Sequence, residues 1–314
     1  MNPKRVYAIT VLIGLLSSPL VLAQGQYDYQ LFAYPGAVAT QVFGINSQGL
    51  VAGTAFDGVV DFPFVYDSKK NVFADVAPVA GFSATVVTGI ADSGTLVGAV
   101  TSLDESARYG LIINRQGSAT VFAHPDAVSF TQARGVNNKG QVAGYRDSAD
   151  DVFAPQNGFI YDSKTGQFTD VVPSLFTIAQ GINNKGEVVG SAVFFSNEAP
   201  CATTQSPIAR FGWLRQTNGN VLFFTVNDRP TSARGITDSG TVAGFLATDV
   251  GLRGFVTPLD GSQCQYIAVS NADLLAVDDT SVAAASINNA GVVTGTSDDA
   301  AFLATPIPPR KGKK

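Results

Sequence analysis

Several residue types that carry chemistry are nearly missing from this chain. One histidine, His124, occurs in 314 residues, and the only cysteines, Cys201 and Cys264, stand far from it in the sequence. A zinc site built from several imidazoles is therefore unavailable, and a mixed Cys/His site has little support. The G-x-S-x-G turn that exposes a serine nucleophile does not occur, so serine hydrolase chemistry of the usual kind has no sequence basis. No segment beyond the N-terminus sustains a 3.6-residue apolar period, which leaves almost no place for helix. Charge is sparse at 14% and acidic in balance: residues 24–309 carry 14 Lys and Arg against 25 Asp and Glu. Such a body repels phosphate backbones, so no nucleic acid partner is expected.

What is present begins with an address. Lys4 and Arg5 precede an uncharged apolar run from Val6 to Leu22 that closes on Val21-Leu22-Ala23, the pattern of a secretory signal peptide cleaved after Ala23. An uncleaved anchor is the alternative, because ~17 apolar residues is the lower limit for a membrane span. Ser17, Ser18 and Pro19 weaken the second half of the run and favour cleavage. The product is expected to be periplasmic or extracellular and not membrane-spanning. Export permits one disulfide, which makes Cys201 and Cys264 a candidate pair, although spacing does not show that they pair. The last stretch, PIPPRKGKK at 306–314, reads as a disordered Pro-rich basic tail, with docking on an anionic envelope surface as the alternative.

Between these ends one decapeptide recurs six times: GINSQGLVAG, GIADSGTLVG, GVNNKGQVAG, GINNKGEVVG, GITDSGTVAG and SINNAGVVTG. Its first position falls at 44, 89, 135, 181, 235 and 286. A period of roughly 40–50 residues is what a four-stranded propeller blade needs. The copy from Gly158 to Phe195 shows how such a blade is spelled: GFIYD, the turn SKTG, QFTDVV, a Pro-containing link, TIAQGI, the turn NNKG, and EVVGSAVFF. These are four β-branched and aromatic runs separated by turn formers.

The turn follows from backbone chemistry. A three-residue hairpin loop combines a type I turn with a left-handed residue, so Asn, Asp or Ser suits its start and Gly its end. Gly49, Gly94, Gly140, Gly186, Gly240 and Gly291 hold the left-handed position. Opening residues are Asn46, Ala91, Asn137, Asn183, Thr237 and Asn288, with Ala91 the misfit. A second set, Gly53, Gly98, Gly144, Gly190, Gly244 and Gly295, lies inside the returning strand, where Gly costs stability. Close approach of blades near the hub is the expected reason for that set. The resulting phasing places the strand that enters GIN innermost, the VVG strand second, the GFIYD strand third and the QFTDV strand outermost.

The chain ends complement each other under this phasing. AFLAT at 301–305 matches a third strand without a fourth, while YDYQLFAYPGA near the mature N-terminus matches a fourth strand without a third. The expectation is an all-β, six-bladed β-propeller over residues 24–305, with four-stranded antiparallel blades and the ring closed by an N-terminal strand joining the last blade. A β-solenoid is the rival, but it has no need of complementary ends.

The G-I-N-x-x-G-x-V-x-G unit, preceded by a link such as YPGA (34–37) and followed by a G-F-hydrophobic-Tyr strand, resembles the HAF family of bacterial extracellular repeats. The resemblance covers nearly all of the mature chain and implies propeller-like repeats and an extracellular destination. It implies no particular activity. The His-Ala-Phe triplet that names the family should open each third strand, yet these places read Phe62-Pro63-Phe64, Asn157-Gly158-Phe159, Arg253-Gly254-Phe255 and Ala300-Ala301-Phe302. The aromatic is retained and the imidazole is not, which removes any role resting on it.

The decapeptide also opens like a phosphate-binding loop. That loop needs Lys and then Ser or Thr after its second Gly, at the head of a helix. The positions after the second Gly here are Leu50, Thr95, Gln141, Glu187, Thr241 and Val292, in a hairpin. His124 aligns with Tyr34 of another copy and reads as a partly buried amphipathic side chain. The remaining candidates are acids: Asp147, Asp150 and Asp151 form a cluster, as do Asp278 with Asp279 and Asp298 with Asp299. Paired carboxylates could serve glycoside hydrolysis and several could hold calcium, but their loop placement favours solvated links. The most individual feature is SNEAPCATTQSPIAR at 196–210, which stretches one period; a loop that breaks a repeat often carries specific function. The expected protein has no cofactor, calcium aside, and is a monomeric binding module whose ring face or central opening takes an extracellular ligand such as a glycan or another protein. A hydrolase using paired carboxylates in that opening is the alternative. Positions where copies differ, such as Ala91, Ser286 and the insertion around Cys201, are where function is sought.

Overall fold

The computed structural model of the protein describes residues 27–148, 156–172, 176–195, 208–249, 251–259, 266–269, 273–275, 282–297 and 300–308. Six sheets follow one another around an axis, each with antiparallel strands that run outward from an innermost one, in chain order in the first five blades apart from one added strand on the fourth. The third copy illustrates the blade: Thr131–Val136 lies innermost, followed outward by Gln141–Asp147, Gln156–Asp162 and Gln167–Asp170. The innermost strands of the other blades are Ala39–Ile45, Ala84–Ile90, Phe176–Ile182, Thr231–Ile236 and Val282–Ile287. The ring closes where Tyr27–Phe32, from the N-terminal side, pairs antiparallel with Ala300–Pro306 and becomes the outermost strand of the sixth blade. The chain is thus a six-bladed β-propeller, and among the described residues there is no helix at all.

The fourth blade is wider than the repeat alone requires. Its outer strand, Val221–Val226, carries a fifth strand, Tyr266–Val269, paired parallel to it. That short strand comes from the long link after the third strand of blade five, whose own fourth strand is only Asp273–Leu275. An outer strand exposes unpaired amides and carbonyls, and a passing segment satisfies them.

The hairpin turn is the same in every copy. In the first, the Asn46 amide donates to the Leu50 carbonyl at 3.0 Å and the Gly49 amide to the Asn46 carbonyl at 3.1 Å. The six closing glycines have φ between 79° and 96°, the left-handed region that glycine enters without steric cost.

Gly53 and its equivalents do meet close backbone approach, but from the innermost strand of their own blade and not from a neighbouring blade. Each faces the third-strand side chain across the ladder, as in the pairs Gly53 with Phe64, Gly144 with Phe159, Gly190 with Trp213 and Gly295 with Phe302. A Cβ at Gly53 or Gly144 would first meet the carbonyl oxygen of Gln41 or Gln132 on the innermost strand, and would stand 2.6 Å from the ring of Phe64 or Phe159, so this glycine both admits the innermost backbone and seats the aromatic. Those rings are fully buried, and each stabilises the fold by about 2–3 kcal/mol. Approach between blades belongs to the first glycine of the decapeptide. A Cβ at Gly44 would lie 2.9 Å from the Cα of Gly89 in the next blade, and one at Gly181 would lie 2.6 Å from the Arg234 carbonyl oxygen. The reason is geometric: six innermost strands converge on one axis, and backbone meets backbone there. Ser286, which replaces this glycine in the sixth copy, lies at the seam between the last blade and the first.

Candidate functional site

One irregularity recurs in all six innermost strands. The register with the second strand slips by one residue between 42 and 44, 87 and 89, 133 and 135, 179 and 181, 233 and 235, and 284 and 286. Each slip is a β-bulge, a device that re-aims one side chain. The bulged residues are Phe43, Thr88, Arg134, Gln180, Arg234 and Ala285, and all six line the opening along the propeller axis. The backbone repeats, so the fold presents a ring of equivalent positions; the side chains on that ring are all but unrepeated.

The opening has two ends. Toward the hairpin turns it is closed down by a polar collar around a space of about 370 Å³. Asn46 Nδ2 donates to the Ala91 carbonyl at 3.1 Å, Asn137 Nδ2 to that of Asn183 at 2.9 Å, Asn183 Nδ2 to that of Thr237 at 3.0 Å, and Asn288 Nδ2 to that of Asn46 at 3.0 Å. Each Asn thus ties its blade to the next, and the chain of ties is interrupted at Ala91 and Thr237. The following turn position adds a second ring, in which Asp92 accepts from the Ser47 amide at 2.7 Å and Asp238 from the Asn184 amide at 2.8 Å. Asp238 also accepts from the side chains of Asn184 and Asn289. Burial draws its carboxyl upward, yet these hydrogen bonds outweigh burial and hold it below the ordinary carboxylate range.

At the opposite end a cavity of about 530 Å³ is bounded by the bulged ring together with Val42, Phe245, Ala283, Ala284 and Thr296. Its basic side comes from two copies. The Arg134 guanidinium lies 5.4 Å from the ring centre of Tyr145 and its Nη2 donates to the Tyr145 hydroxyl at 3.2 Å, while Arg234 lies 4.8 Å above Phe245. Both aromatics sit at the same place, just beyond the second-strand glycine, in the two blades whose bulge is arginine. The aromatic face therefore props the cation in the opening. Nε of each arginine is buried with no hydrogen-bond partner, and neither arginine is in an ion pair among the described residues. Burial first, then repulsion from Arg134 and Arg210, draws the Arg234 guanidinium down to about 9. It remains a cation at neutral pH, held in a site that supplies it no counter-charge.

The residues singled out from sequence are distributed otherwise. The closing glycines, Gly49 to Gly291, shape the collar and bear no side chain. Asp147 sits at the end of a second strand, where it accepts from the amides of Val128 at 2.9 Å and Phe130 at 2.9 Å and from the Ser129 hydroxyl at 2.8 Å. Burial pushes its carboxyl up, but the Ser129 hydroxyl and these amides hold it below its usual range, so it clamps the loop entering blade three. Asp150, Asp151, Asp278, Asp279, Asp298 and Asp299 lie outside the described residues, as do Cys201, Cys264, the signal segment, the basic tail from 309 and residues 196–207 of the insertion. Among the described residues no group of three or more His, Cys, Asp or Glu could hold a metal ion, and no helix is long and apolar enough to cross a membrane.

His124 is buried against Phe159 and Phe168, as Tyr34 is against Phe64 and Phe73 in the first blade. Tyr34 donates to Asp75 at 2.6 Å, and Nε2 of His124 stands 3.8 Å from the equivalent Asp170. Nδ1 of His124 accepts from the Asp126 amide at 3.2 Å. Burial and then the Arg146 charge push the imidazole below its usual range, against Asp170 and Asp126. The neutral ring is a core residue of the blade interface.

Sequence reasoning missed the bulged ring. The signal was present: the residue immediately before the first glycine of the decapeptide reads Phe, Thr, Arg, Gln, Arg, Ala in six otherwise similar contexts. A position that varies inside a repeating frame is free of the frame's packing demands.

No protein-family model and no curated protein matches the sequence. Solved structures match in shape. A luciferin-regenerating enzyme superposes with a TM-score of 0.53 at 11% identity, covering 90% of this chain and 96% of that one. TolB from Acinetobacter baumannii gives 0.51 at 9%, covering 84% of this chain and 54% of that one, so the chain spans about half of TolB's length. Hydrazine synthase from Kuenenia stuttgartiensis gives 0.50 at 10%, covering 83% and 82%. At such identities the likeness establishes the propeller fold alone; what these proteins do with it differs, because function lives in sites grafted onto a fold.

Proposed function

We propose that this propeller is an exported, non-catalytic binding module of the HAF-repeat type that takes an extracellular or envelope ligand into the wide end of its central opening. One observation carries the reading: six bulges aim side chains of five chemical kinds, including two uncompensated arginines, into one opening along the axis. Ligand sites are typically concave, with mainly apolar walls and a few polar groups that fix orientation. The signal-like N-terminus supports export, and the acidic body speaks against nucleic acid. Carboxylates near the axis, Asp92 and Asp238, are committed to stitching blades together, which favours binding over paired-carboxylate hydrolysis.

The test is a screen of the exported protein against glycans and small metabolites, with and without calcium, read by thermal shift and by product analysis. Binding without turnover, weakened by Phe43→Ala, is the expected result. Turnover that disappears in Asp92→Asn, Asp238→Asn or Asp147→Asn would overturn the reading in favour of an enzyme.

A further inference from the structure

Resting on that reading of the opening as a binding site, we infer that its ligand is a small carboxylate with an apolar body, oriented with the carboxylate between Arg134 and Arg234. The blade order fixes the polarity of the site. Arg134, Gln180 and Arg234 come from blades three, four and five, so they form one continuous arc of the bulged ring. The remaining arc, from blades six, one and two, supplies Ala285, Phe43 and Thr88. One side of the cavity is thus a double guanidinium with an amide between, and the other side is apolar except for the Thr88 hydroxyl. That hydroxyl is already donating to the Ala133 carbonyl at 2.8 Å.

Both guanidiniums are half-buried, with Nε shut off from water and without a protein partner; drawing a cation out of water without a counter-ion is costly, and proteins retain one where something supplies the missing charge. Two such cations in one cavity repel each other as well, as the lowered Arg234 proton affinity reflects. A pure packing role explains neither, because Met or Leu would fill the space beside Tyr145 and Phe245 without the penalty. Arginine's planar fork matches a carboxylate in two parallel hydrogen bonds, and neither guanidinium is in an ion pair among the described residues. The apolar arc then requires more than the anion: Phe43 and Ala285 offer area that only a hydrocarbon or aromatic body would cover. The wide end is also where such a ligand enters, since the Asn collar constricts the other end.

The test titrates the full-length exported protein with phenylacetate, its neutral isostere phenylacetamide, and acetate, by calorimetry at low and high salt. Phenylacetate is expected to bind one to one, at least tenfold more tightly than either comparison ligand, with affinity falling as salt rises. Arg134→Gln and Arg234→Gln should each lose tenfold or more, and Phe43→Ala should weaken phenylacetate while leaving acetate unchanged. The unliganded Arg234→Met variant should melt at a higher temperature than the parent, which a structural role for the cation would not give. Equal affinity for phenylacetate and phenylacetamide, with both lost in Phe43→Ala, would overturn the anion assignment while leaving the opening as a binding site. Failure of phenylacetate to bind, or binding untouched by all three substitutions, would overturn the inference; if the wider screen also found no ligand sensitive to Phe43→Ala, the binding reading would fall with it.

Discussion

Replacing Ala91 with Asn should stabilise the protein, because Ala91 occupies a place where Asn46, Asn137, Asn183 and Asn288 each tie two blades together. In those copies Nδ2 donates to the next blade's carbonyl, and Oδ1 accepts two amides of its own turn, as Asn46 does from Gln48 at 3.0 Å and Leu50 at 2.9 Å. An asparagine at 91 would reach the Asn137 carbonyl and the amides of Ser93 and Thr95 in the same way. Three net hydrogen bonds are worth about 1 kcal/mol each, against about 1 kcal/mol for ordering the new side chain. The gain is therefore about 2 kcal/mol. Part of the turn is already served, since the Thr95 amide donates weakly to the Ser93 hydroxyl at 3.4 Å, so a value nearer 1 kcal/mol is the lower bound of the reasoning. In a domain of this size 1 kcal/mol shifts Tm by roughly 2–4 °C, which differential scanning calorimetry resolves easily. An unchanged or lowered Tm for Ala91→Asn, in a variant that retains its strand spectrum, would refute the claim that the Asn collar holds the ring closed.

Three further outcomes follow from the same geometry. Asn288→Ala removes the bond to the Asn46 carbonyl across the seam between the last blade and the first and the Oδ1 that accepts the amides of Ala290 and Val292, so it should cost about 2–3 kcal/mol; urea denaturation reads this directly. Gly44→Ala forces a Cβ to within 2.9 Å of Gly89 Cα and should cost about 1–3 kcal/mol by overpacking, whereas Gly36→Ala, with open space around it but φ of 82°, should cost only the left-handed strain of ~1 kcal/mol. The pH dependence centres on His124, the only histidine. Its folded proton affinity is depressed, so the unfolded chain takes up a proton first as pH falls below about 6.5. Stability is full above that value and is lost as pH falls through the folded pKa. The denaturation midpoint should drop between pH 7 and pH 5, and His124→Tyr, the residue used at the equivalent Tyr34, should flatten that drop; the lowered carboxylates Asp147 and Asp238 act only at more acid pH.

Much of the fold was legible because each element of it is spelled six times. The turn Asn and closing Gly report a backbone geometry, and the complementary ends at YDYQLF and AFLAT report ring closure, since an unpaired strand edge at each end needs the other. At Gly53 and its equivalents close backbone approach was expected and is present, but a glycine inside a strand does not announce what approaches: it is the innermost strand of the same blade, with the third-strand ring of Phe64 beside it. The fifth strand on blade four was invisible, because Tyr266–Val269 is a short β-branched stretch that pairs outside its own repeat. For the site, the search for positions where copies differ named Ala91, Ser286 and the insertion around Cys201, and did not name the ring at Phe43, Thr88, Arg134, Gln180, Arg234 and Ala285. A β-bulge has no local spelling: it is created by the mismatch between two strands, so nothing in Gln-Ala-Arg-Gly-Val alone tells that Arg134 faces the axis.

The most direct test of the account is a crystal structure of the protein soaked with 4-iodophenylacetate, whose iodine is located by anomalous scattering. One strong iodine peak is expected in the wide end of the central opening, on the side of Phe43 and Ala285, with the carboxylate within hydrogen-bond distance of Arg134 and Arg234. An opening without iodine at saturating ligand, or a ligand seated there with its carboxylate turned away from both arginines, would contradict it.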